Sequence, residues 1–310
     1  MTSTVYWVDP LKTHQPEQTQ MTQTVAFIGL GIMGSRMAAN LLDKGDVNLI
    51  VFNRSTEAAK PLKDKGAKVA DSAADAVRQA DVVFSMLASP PVVEDMALGE
   101  NGFVSAMAEN ALWVDCSTVN PSFTEYAAKV ARAQGIRFMD APVAGTREPA
   151  ASGELTFLVG ADDEDFQSVE PLLQTMGKKI VHVGQVGRGT AFKMLVNAML
   201  AQSMLAFAET TLLGEKLGFS RDFLMDTLPN LPVTPPFIGG KAELIRNGDF
   251  DAQFPLELMH KDLHLLEQTA YEVGQPLYLA NLAKEVYGSA SSSGWGRKDF
   301  ASVFEFLNRH

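Results

Sequence analysis

The segment GRGTAFKMLVNAMLAQSMLAFAETTLL, from Gly187 to Leu213, places a lysine and an asparagine inside an otherwise apolar, helix-forming stretch. Lys193 and Asn197 stand four residues apart, so a helix brings their side chains to one face. An ammonium beside a reacting carbonyl can stabilise an alkoxide and protonate it, which is general acid catalysis. By composition alone, the favoured alternative is a lysine whose stem packs while its head reaches water. The asparagine has an alternative too, a core amide bonded to backbone.

A second pattern, GLGIMG, lies between an apolar strand and a helix and has the glycine spacing of a nucleotide-binding loop. Glycines permit a tight turn and let a pyrophosphate approach the helix N-terminus, whose free N–H groups and dipole favour an anion. The alternative is a tight turn that binds nothing, but this motif opens a series of strand–helix units, which is the context it requires. The first predicted cofactor contacts are therefore Gly29, Leu30, Gly31, Ile32, Met33 and Gly34.

The residues after the second predicted strand indicate which dinucleotide binds. An NAD site commonly places Asp or Glu here, about 20 residues after the glycines, to bind the ribose hydroxyls. In this chain the strand LIVF ends in Asn53, Arg54 and Ser55, with no carboxylate. A guanidinium can hold a 2′-phosphate while the amide and the hydroxyl donate further bonds. The sequence therefore predicts NADP(H), against the alternative that Arg54 is an ordinary surface charge.

The hydrophobic pattern indicates the scaffold that must position these residues. From residue 24 to residue 186, short apolar strands alternate with amphipathic helices, which predicts a parallel sheet covered on both faces. From Gly187 onward every segment has helical periodicity, interrupted by turn signals. We therefore predict an α/β chain with a Rossmann-type doubly wound domain over 23–186 and an all-helical domain over 187–310. The polar, aperiodic residues 1–22 predict a disordered tail.

Composition excludes several classes of partner. The 310 residues carry a formal net charge of −11 without a basic run, which argues against nucleic acid and anionic membrane surfaces. A single cysteine, Cys116, favours a reducing compartment, and we predict the cytoplasm. The sequence contains no run of about 18 uncharged apolar residues, so no membrane span is predicted. His260 and His264 lie four residues apart, but without an HExxH pattern a solvated helix face is favoured and no metal site is predicted.

Further motifs follow the glycine loop in a fixed order: DCSTV (115–119), DAPVAGT (140–146), the helix with Lys193 and Asn197, FPL (254–256), HKDL (260–263) and DF (299–300). With this order the chain resembles the β-hydroxyacid dehydrogenase family, which includes 3-hydroxyisobutyrate dehydrogenases and glyoxylate/succinic semialdehyde reductases. The resemblance covers residues 23–310. Each motif alone is weak, but the glycine loop and the first three of these motifs, in order and at family-like spacing, are together a strong signal.

The resemblance implies a role for each matching position. It assigns catalysis to Lys193, substrate binding to Ser117, Ala144, Gly145, Thr146 and Asn197, and cofactor contact to Thr118 and Lys261. Ser117 is expected to face the substrate, and Asn197 to orient either the lysine or the substrate. Met86 and Leu87 end the strand-like run DVVFSML and are predicted as further cofactor contacts, since open sheets place ligands at the carboxyl ends of strands.

One position departs from the family. Where the family usually has Ser in APVSG, this chain has Ala144, so a hydroxyl that would help to bind the substrate carboxylate is missing. Thr146, or the N–H groups of Gly145 and Thr146, could supply the donor; equally, the substrate could lack that carboxylate. The segment TREPAASGEL at 146–155 resembles the glyoxylate/succinic semialdehyde branch, which mostly uses NADPH and so agrees with Arg54.

The sequence thus predicts an NADPH-dependent reductase of small aldehyde or keto acids, with the proton supplied by Lys193. A lysine with its ordinary pKa of about 10.4 is protonated at pH 7, which favours reduction over oxidation. Two rivals remain: a related imine reductase, a group that usually lacks the lysine, and a catalytically silent NADP-binding oligomeric protein. The apolar helical domain also predicts a homodimer or homotetramer.

Overall fold

The structure is a computed structural model that describes residues 22–309; residues 1–21, which hold nearly all of the predicted tail, and residue 310 lie outside the described part. The strands of this part join in one sheet: β1 Thr24–Ile28, β2 Asn48–Phe52, β3 Lys68–Val69, β4 Val82–Ser85, β5 Leu112–Asp115, β6 Arg137–Asp140, β7 Val143–Ala144, β8 Leu155–Gly160 and β9 Gly177–Gly184. Strands β1 to β6 are parallel in the order 3-2-1-4-5-6. The order reverses between β1 and β4, and open sheets bind ligands at the carboxyl ends of strands beside such a switch.

The parallel strands are apolar on both faces because helices cover both. Along β1, Val25 and Phe27 pack into the core on one face of the sheet. Ala26 and Ile28 pack into the core on the other face, and all four side chains are buried. Alternate side chains of a strand point to opposite faces, so a continuous apolar run is what a doubly covered strand requires.

The far edge of the sheet differs from the predicted parallel arrangement. β8 runs antiparallel to β6 and to the two-residue β7, and β9 then pairs in parallel with β8. A parallel return needs a crossover of a dozen or more residues, usually a helix. The connection from β6 to β8 holds β7, which is itself antiparallel to β8, and the six-residue helix Arg147–Ser152, and the chain folds back on itself. The rest of the sheet confirms the predicted fold class.

The helices divide between the two domains. Those around the sheet are α1 Gly34–Lys44, α2 Lys60–Asp64, α3 Ala73–Val77, α4 Pro90–Val93, α5 Pro121–Ala133, α6 Arg147–Ser152 and α7 Asp163–Met176. Those of the second domain are α8 Arg188–Lys216, α9 Arg221–Thr227, α10 Phe237–Asn247, α11 Leu256–Glu272, α12 Tyr278–Ala290 and α13 Val303–Asn308. The sheet ends at Gly184 and α8 begins at Arg188, where helical periodicity takes over in the sequence.

The 29-residue helix α8 organises the second domain, packing against α11, α12, α13 and β8. Its buried residues recur every three or four positions, so one face of the helix is turned inward. Within residues 22–309 it is the one helix long and apolar enough to cross a membrane, and 39% of its apolar window is buried. Core helices of folded domains meet the same criterion, so this is weak evidence for a membrane.

Candidate functional site

A cavity of about 580 Å³ lies where the carboxyl ends of the parallel strands face the helical domain. Most of the residues predicted from sequence line it: Gly31, Ile32, Met33, Gly34, Met86, Leu87, Thr118, Ala144, Gly145, Thr146, Lys193, Asn197 and Lys261. The predicted residues outside its lining are Gly29, Leu30, Asn53, Arg54, Ser55 and Ser117. Motifs far apart in the chain therefore meet at one place, between the two domains.

The loop between β1 and α1 has the geometry of an anion cradle. Gly29 has a φ of 97°, and a Cβ on Gly34 would lie 2.0 Å from the Gly29 carbonyl oxygen. The N–H groups of Gly29 and Leu30 donate to the Phe52 carbonyl and to Asn53 Oδ1, so these two residues shape the turn and their N–H groups cannot bind a phosphate. Within this loop, the N–H groups of Gly31, Ile32, Met33 and Gly34 have no acceptor among the described residues.

In the loop after β2, the three residues predicted to contact a 2′-phosphate differ in how far they are already engaged within the chain. Asn53 Oδ1 accepts the N–H of Leu30 at 2.9 Å and its Nδ2 donates to the Ser55 carbonyl at 3.0 Å, so its amide is engaged within the chain. Arg54 and Ser55 are exposed, and within the described part of the chain no hydrogen bond or ion pair holds the Arg54 guanidinium. Arg54, rather than Asn53, is therefore free to reach a 2′-phosphate.

Ser117 does not face the cavity, contrary to the prediction. It is 1% exposed and its Oγ accepts the N–H of Leu87 at 2.9 Å, whereas the next residue, Thr118, lines the cavity. The Ser117 N–H donates to Asp115 Oδ1 at 3.1 Å, and Ser85 Oγ donates to the same oxygen at 2.7 Å. A buried carboxylate needs such donors, and this cluster turns the serine inward. Ser117 joins the ends of β4 and β5 and shapes the cavity wall indirectly.

Lys193 lies in the second turn of α8, 8% exposed, in the wall of the cavity. Within residues 22–309 its Nζ makes no hydrogen bond and no ion pair. Burial lowers the pKa of Lys193 to about 8; the Asp262 carboxylate opposes this shift and the Lys261 ammonium adds to it. A buried amine without a hydrogen-bond partner, with a pKa near neutrality, is suited to exchange a proton with a molecule in the cavity.

Asp262 is the functional residue that sequence reasoning missed. It is 2% exposed; its Oδ2 accepts Asn197 Nδ2 at 2.6 Å and its Oδ1 lies 2.7 Å from Lys261 Nζ. Lys261 Nζ also donates to the Thr118 carbonyl at 2.7 Å, which links α11 to the sheet domain. A signal for it existed, because Lys193 and Asn197 are buried polar groups that need a charged or polar partner from another helix. The HKDL motif supplies that partner.

Other polar and apolar groups complete the cavity. Asn197 lies in the cavity lining, and its Oδ1 is buried without a hydrogen-bond partner within residues 22–309. On the sheet side, Ala144 and Thr146 line the wall. Apolar side chains of the helical domain form the opposite wall: Val196, Leu200, Phe237, Phe254 and Leu258. Such a cavity holds a small molecule with few polar groups and orients it through a small number of hydrogen bonds.

Of the two histidines on α11, His264 contacts side chains of its own helix. His264 Nδ1 lies 3.3 Å from Glu267 Oε2, and Gln268 Nε2 lies 3.3 Å from His264 Nε2. Over residues 22–309, no group of three His, Cys, Asp or Glu side chains is placed to hold a metal ion.

The residues at the sheet end of the cavity fit a nicotinamide dinucleotide. A Cβ built on Gly31 would meet nothing within 4 Å, which leaves open space beside the free N–H groups at the start of α1. The N–H groups of Gly31, Ile32 and Met33 would hold its pyrophosphate at the start of α1, and Lys193 lines the same cavity. When bound, such a cofactor supplies a hydride.

Comparisons with known proteins agree with both domains. Residues 24–184 match the model of the NAD binding domain of 6-phosphogluconate dehydrogenase. Residues 187–307 match that of the NAD-binding domain of NADP-dependent 3-hydroxyisobutyrate dehydrogenase. The two models follow one another along the chain as the two domains do.

Individual relatives match along nearly the whole chain. A probable mitochondrial 3-hydroxyisobutyrate dehydrogenase of Dictyostelium discoideum is 36% identical over 94% of this chain and 93% of its own. The chloroplastic glyoxylate/succinic semialdehyde reductase 2 of Arabidopsis thaliana is 34% identical over 92% and 80%. A solved structure of Mycobacterium tuberculosis 3-hydroxyisobutyrate dehydrogenase with L-serine is 32% identical over 93% and 99%, with a TM-score of 0.83. This chain therefore belongs to the β-hydroxyacid dehydrogenase family of NAD(P)-dependent oxidoreductases.

Proposed function

We propose that this protein reduces small aldehyde or keto acids, of the glyoxylate or succinic semialdehyde type, to hydroxy acids with NADPH. The observation that carries the proposal is Lys193, a buried amine with a pKa of about 8 in the wall of the cavity that also contains the open glycine loop. The resemblance to the Arabidopsis reductase supports the substrate class, and the exposed Arg54 supports NADPH.

The chemistry assigned to the side chains is proton transfer and positioning. As the carbonyl accepts a hydride at carbon, its π bond breaks and the oxygen becomes an alkoxide, which takes a proton from Lys193 Nζ. The Asp262 carboxylate holds Asn197 and Lys261 in place and offsets the charge of two nearby ammonium groups. Asn197, which lines the cavity beside Lys193, orients the substrate.

The lowered pKa of Lys193 revises the expected preference for reduction, which assumed an ordinary lysine. With a pKa of about 8 the amine is still mostly protonated at pH 7, so it can donate a proton in reduction. Above pH 8 it is mostly neutral and can accept the hydroxyl proton in oxidation. We propose reduction near neutral pH and a reversible reaction in alkaline solution.

A carbonyl panel with NADPH and NADH in parallel tests the function. We expect glyoxylate or succinic semialdehyde to cause loss of the reduced-nicotinamide absorbance, faster with NADPH. A cyclic imine belongs in the panel because Ala144 leaves imine reduction as a rival, although Lys193 argues against it. Consumption with the imine alone would favour that rival. Tight binding of NADPH without its oxidation by any compound of the panel would favour the other rival, a catalytically silent NADP-binding protein.

Replacing Arg54 by alanine is expected to narrow the preference for NADPH over NADH by about 10–100-fold in kcat/KM. A hydrogen bond to a charged group contributes roughly 1.5–3 kcal/mol, and only the 2′-phosphate of NADPH gains it. Arg78→Ala, which removes an exposed arginine elsewhere in the same domain, is the control and should leave the ratio unchanged. An unaltered ratio in the Arg54 variant would remove Arg54 from the cofactor site.

The helical domain supports a homo-oligomer as a further proposal. Apolar side chains on the outer face of α8 are 43–67% exposed, among them Phe192, Leu195 and Met199. Apolar surface of this kind is commonly covered by a second copy of the same chain. Light scattering should give a mass of two or four times 33.6 kDa, and a monomer would contradict the proposal.

A further inference from the structure

Asp140 ends β6 and sits beneath the N-terminus of α8, where it is 1% exposed. Its Oδ1 accepts the N–H of Gly187 at 2.6 Å, and its Oδ2 accepts the N–H of Thr190 at 2.7 Å. These are two of the N–H groups that a helix start leaves without intrahelical partners. One carboxylate from the sheet domain therefore caps the helix that begins the second domain.

The chain makes room for this carboxylate at two glycines. A Cβ on Gly160 would lie 2.4 Å from Asp140 Oδ1, and a Cβ on Gly189 would lie 2.9 Å from Asp140 Oδ2. The same Cβ on Gly189 would also lie 2.2 Å from the Leu158 carbonyl oxygen, so the helix start rests directly on β8. Both glycines permit the close approach of α8, β6 and β8 that brings the carboxylate to the two N–H groups.

The charge of Asp140 is balanced by the helix rather than by a cation. Within residues 22–309, no lysine, arginine or histidine forms an ion pair with it. Burial raises the pKa of Asp140 to about 6, and the N–H donors at Gly187 and Thr190 oppose that rise. At pH 7 the side chain is therefore mostly ionised and interacts favourably with the positive end of the helix dipole.

The position of Asp140 in the chain connects two walls of the cavity. Three residues after it, Val143 begins the stretch 143–146 that lines the sheet side and that we call the substrate loop. Three residues after the capped Thr190, Lys193 enters the cavity from α8. The main chain of Asp140 thus leads into one wall while its side chain fixes the start of the helix that carries the other.

We propose that Asp140 is a positioning residue that fixes Lys193 relative to the substrate loop at 143–146. It acts through the start of α8 and touches neither the substrate nor the cofactor. The inference rests on the proposed role of Lys193 as the proton donor. Loss of the cap lets the first turn of α8 shift, and a displacement near 1 Å at a reacting group can lower a rate about 100-fold.

A double-mutant cycle in kcat tests this role. Asp140→Asn keeps the shape of the side chain but turns an N–H₂ group toward one of the two N–H donors, and we expect kcat to fall about 10–100-fold. In a Lys193→Met background the same change should alter the residual rate less than twofold, because the positioned group is gone. An unchanged kcat in the single variant, or equal losses with and without the lysine, would overturn the proposal.

A second readout does not depend on turnover. Titration of ¹³C-methylated lysine by NMR in the apoprotein should show the pKa of Lys193 near 8 in the parent protein and closer to its ordinary value in Asp140→Asn, since water reaches a displaced amine. The charged groups that face Lys193 are Asp262 and Lys261, both on α11 and unchanged in this variant. An unchanged pKa of Lys193 in Asp140→Asn would contradict the positioning role. Because this measurement needs no substrate, its outcome is independent of the proposed function.

The controls separate positioning from folding. Asp165→Asn removes another buried carboxylate, which lies on α7 and accepts a hydrogen bond from Arg137 at 2.8 Å. This variant should change neither kcat nor the pKa of Lys193. NADPH affinity and Tm are measured for every variant, and we expect Asp140→Asn to bind NADPH normally because the glycine loop is intact. If it fails to fold, Asp140→Ser replaces it in both experiments. Loss of the folded state in both would assign Asp140 to folding and overturn the proposal.

Discussion

Lys193→Met is expected to lower kcat for carbonyl reduction by ~10²–10⁴, the range typical of losing a general acid, while NADPH binding is preserved. Methionine matches the length of the lysine stem and removes only the ammonium. Since burial of the ammonium is unfavourable in the parent protein, we expect the variant to be at least as stable at pH 7. Stopped-flow rates and fluorescence titration with NADPH measure the two quantities.

The matched control is Lys216→Met in the last turn of the same helix, where the side chain is exposed. It should leave kcat and NADPH affinity unchanged. Near-normal turnover in Lys193→Met would remove the lysine from the chemistry. A Tm far below that of the parent would instead show that the lysine holds the fold together.

The pH dependence of the parent enzyme follows from the same group. The pKa of Lys193 lies near 8, below the ordinary lysine value, because burial disfavours the charged form. Reduction uses the protonated amine, so its kcat should fall as pH rises through about 8, whereas kcat for oxidation should rise over the same range. Both limbs should be absent in Lys193→Met. A pH dependence of kcat that persists in Lys193→Met would arise from another titrating group.

The second large effect is expected in the glycine loop, where Gly34→Ala and Gly31→Ala should affect stability and NADPH binding differently. A methyl group on Gly34 would lie 2.0 Å from the Gly29 carbonyl oxygen and 3.1 Å from Phe27 Cε1, so Gly34→Ala must open the turn. Overpacking of this kind costs about 1–3 kcal/mol or more, and we expect a clear fall in Tm even without cofactor. NADPH affinity should fall with it.

Gly31→Ala is the matched control for the fold. A Cβ there meets nothing within 4 Å, so the Tm of the apoprotein should be unchanged. The methyl group would instead occupy the space through which a pyrophosphate approaches the helix, and NADPH affinity should fall about 10–100-fold. Differential scanning fluorimetry and NADPH titration of both variants check the pair. Equal Tm losses, or normal NADPH binding by Gly31→Ala, would contradict this division of roles.

The features that could be predicted from sequence are those set by neighbours in the chain. The glycine loop depends on residues at most five positions apart, and the strand and helix pattern depends on local periodicity, so both can be seen in the sequence alone. Arg54 could be proposed as a cofactor contact, and remains a prediction, because it stands two residues after a strand whose end must lie beside the loop. Lys193 and Asn197 could be paired because a helix brings positions four apart together.

The features that could not be predicted depend on distant residues. Ser117 turns inward because Leu87, from the neighbouring strand, supplies the N–H that its hydroxyl accepts. Asp262 is a partner of Asn197 from 65 positions away, and nothing local to either residue indicates the contact. The antiparallel direction of β8 is set by its pairing with β6 and β7 rather than by the apolar pattern of β8 itself.

The sequence by itself determined the fold class and the place of the nucleotide loop, because each depends on spacing within one element or between adjacent ones, whereas the catalytic role predicted for Lys193 rests on the resemblance to the family. The tertiary structure decided the chemistry around that lysine. It buried the amine, set Asp262 and Lys261 beside it from α11, and placed Asp140 under the helix that carries it. The lowered pKa is the clearest case, because desolvation and opposing charges act through space and depend on how the two domains pack together.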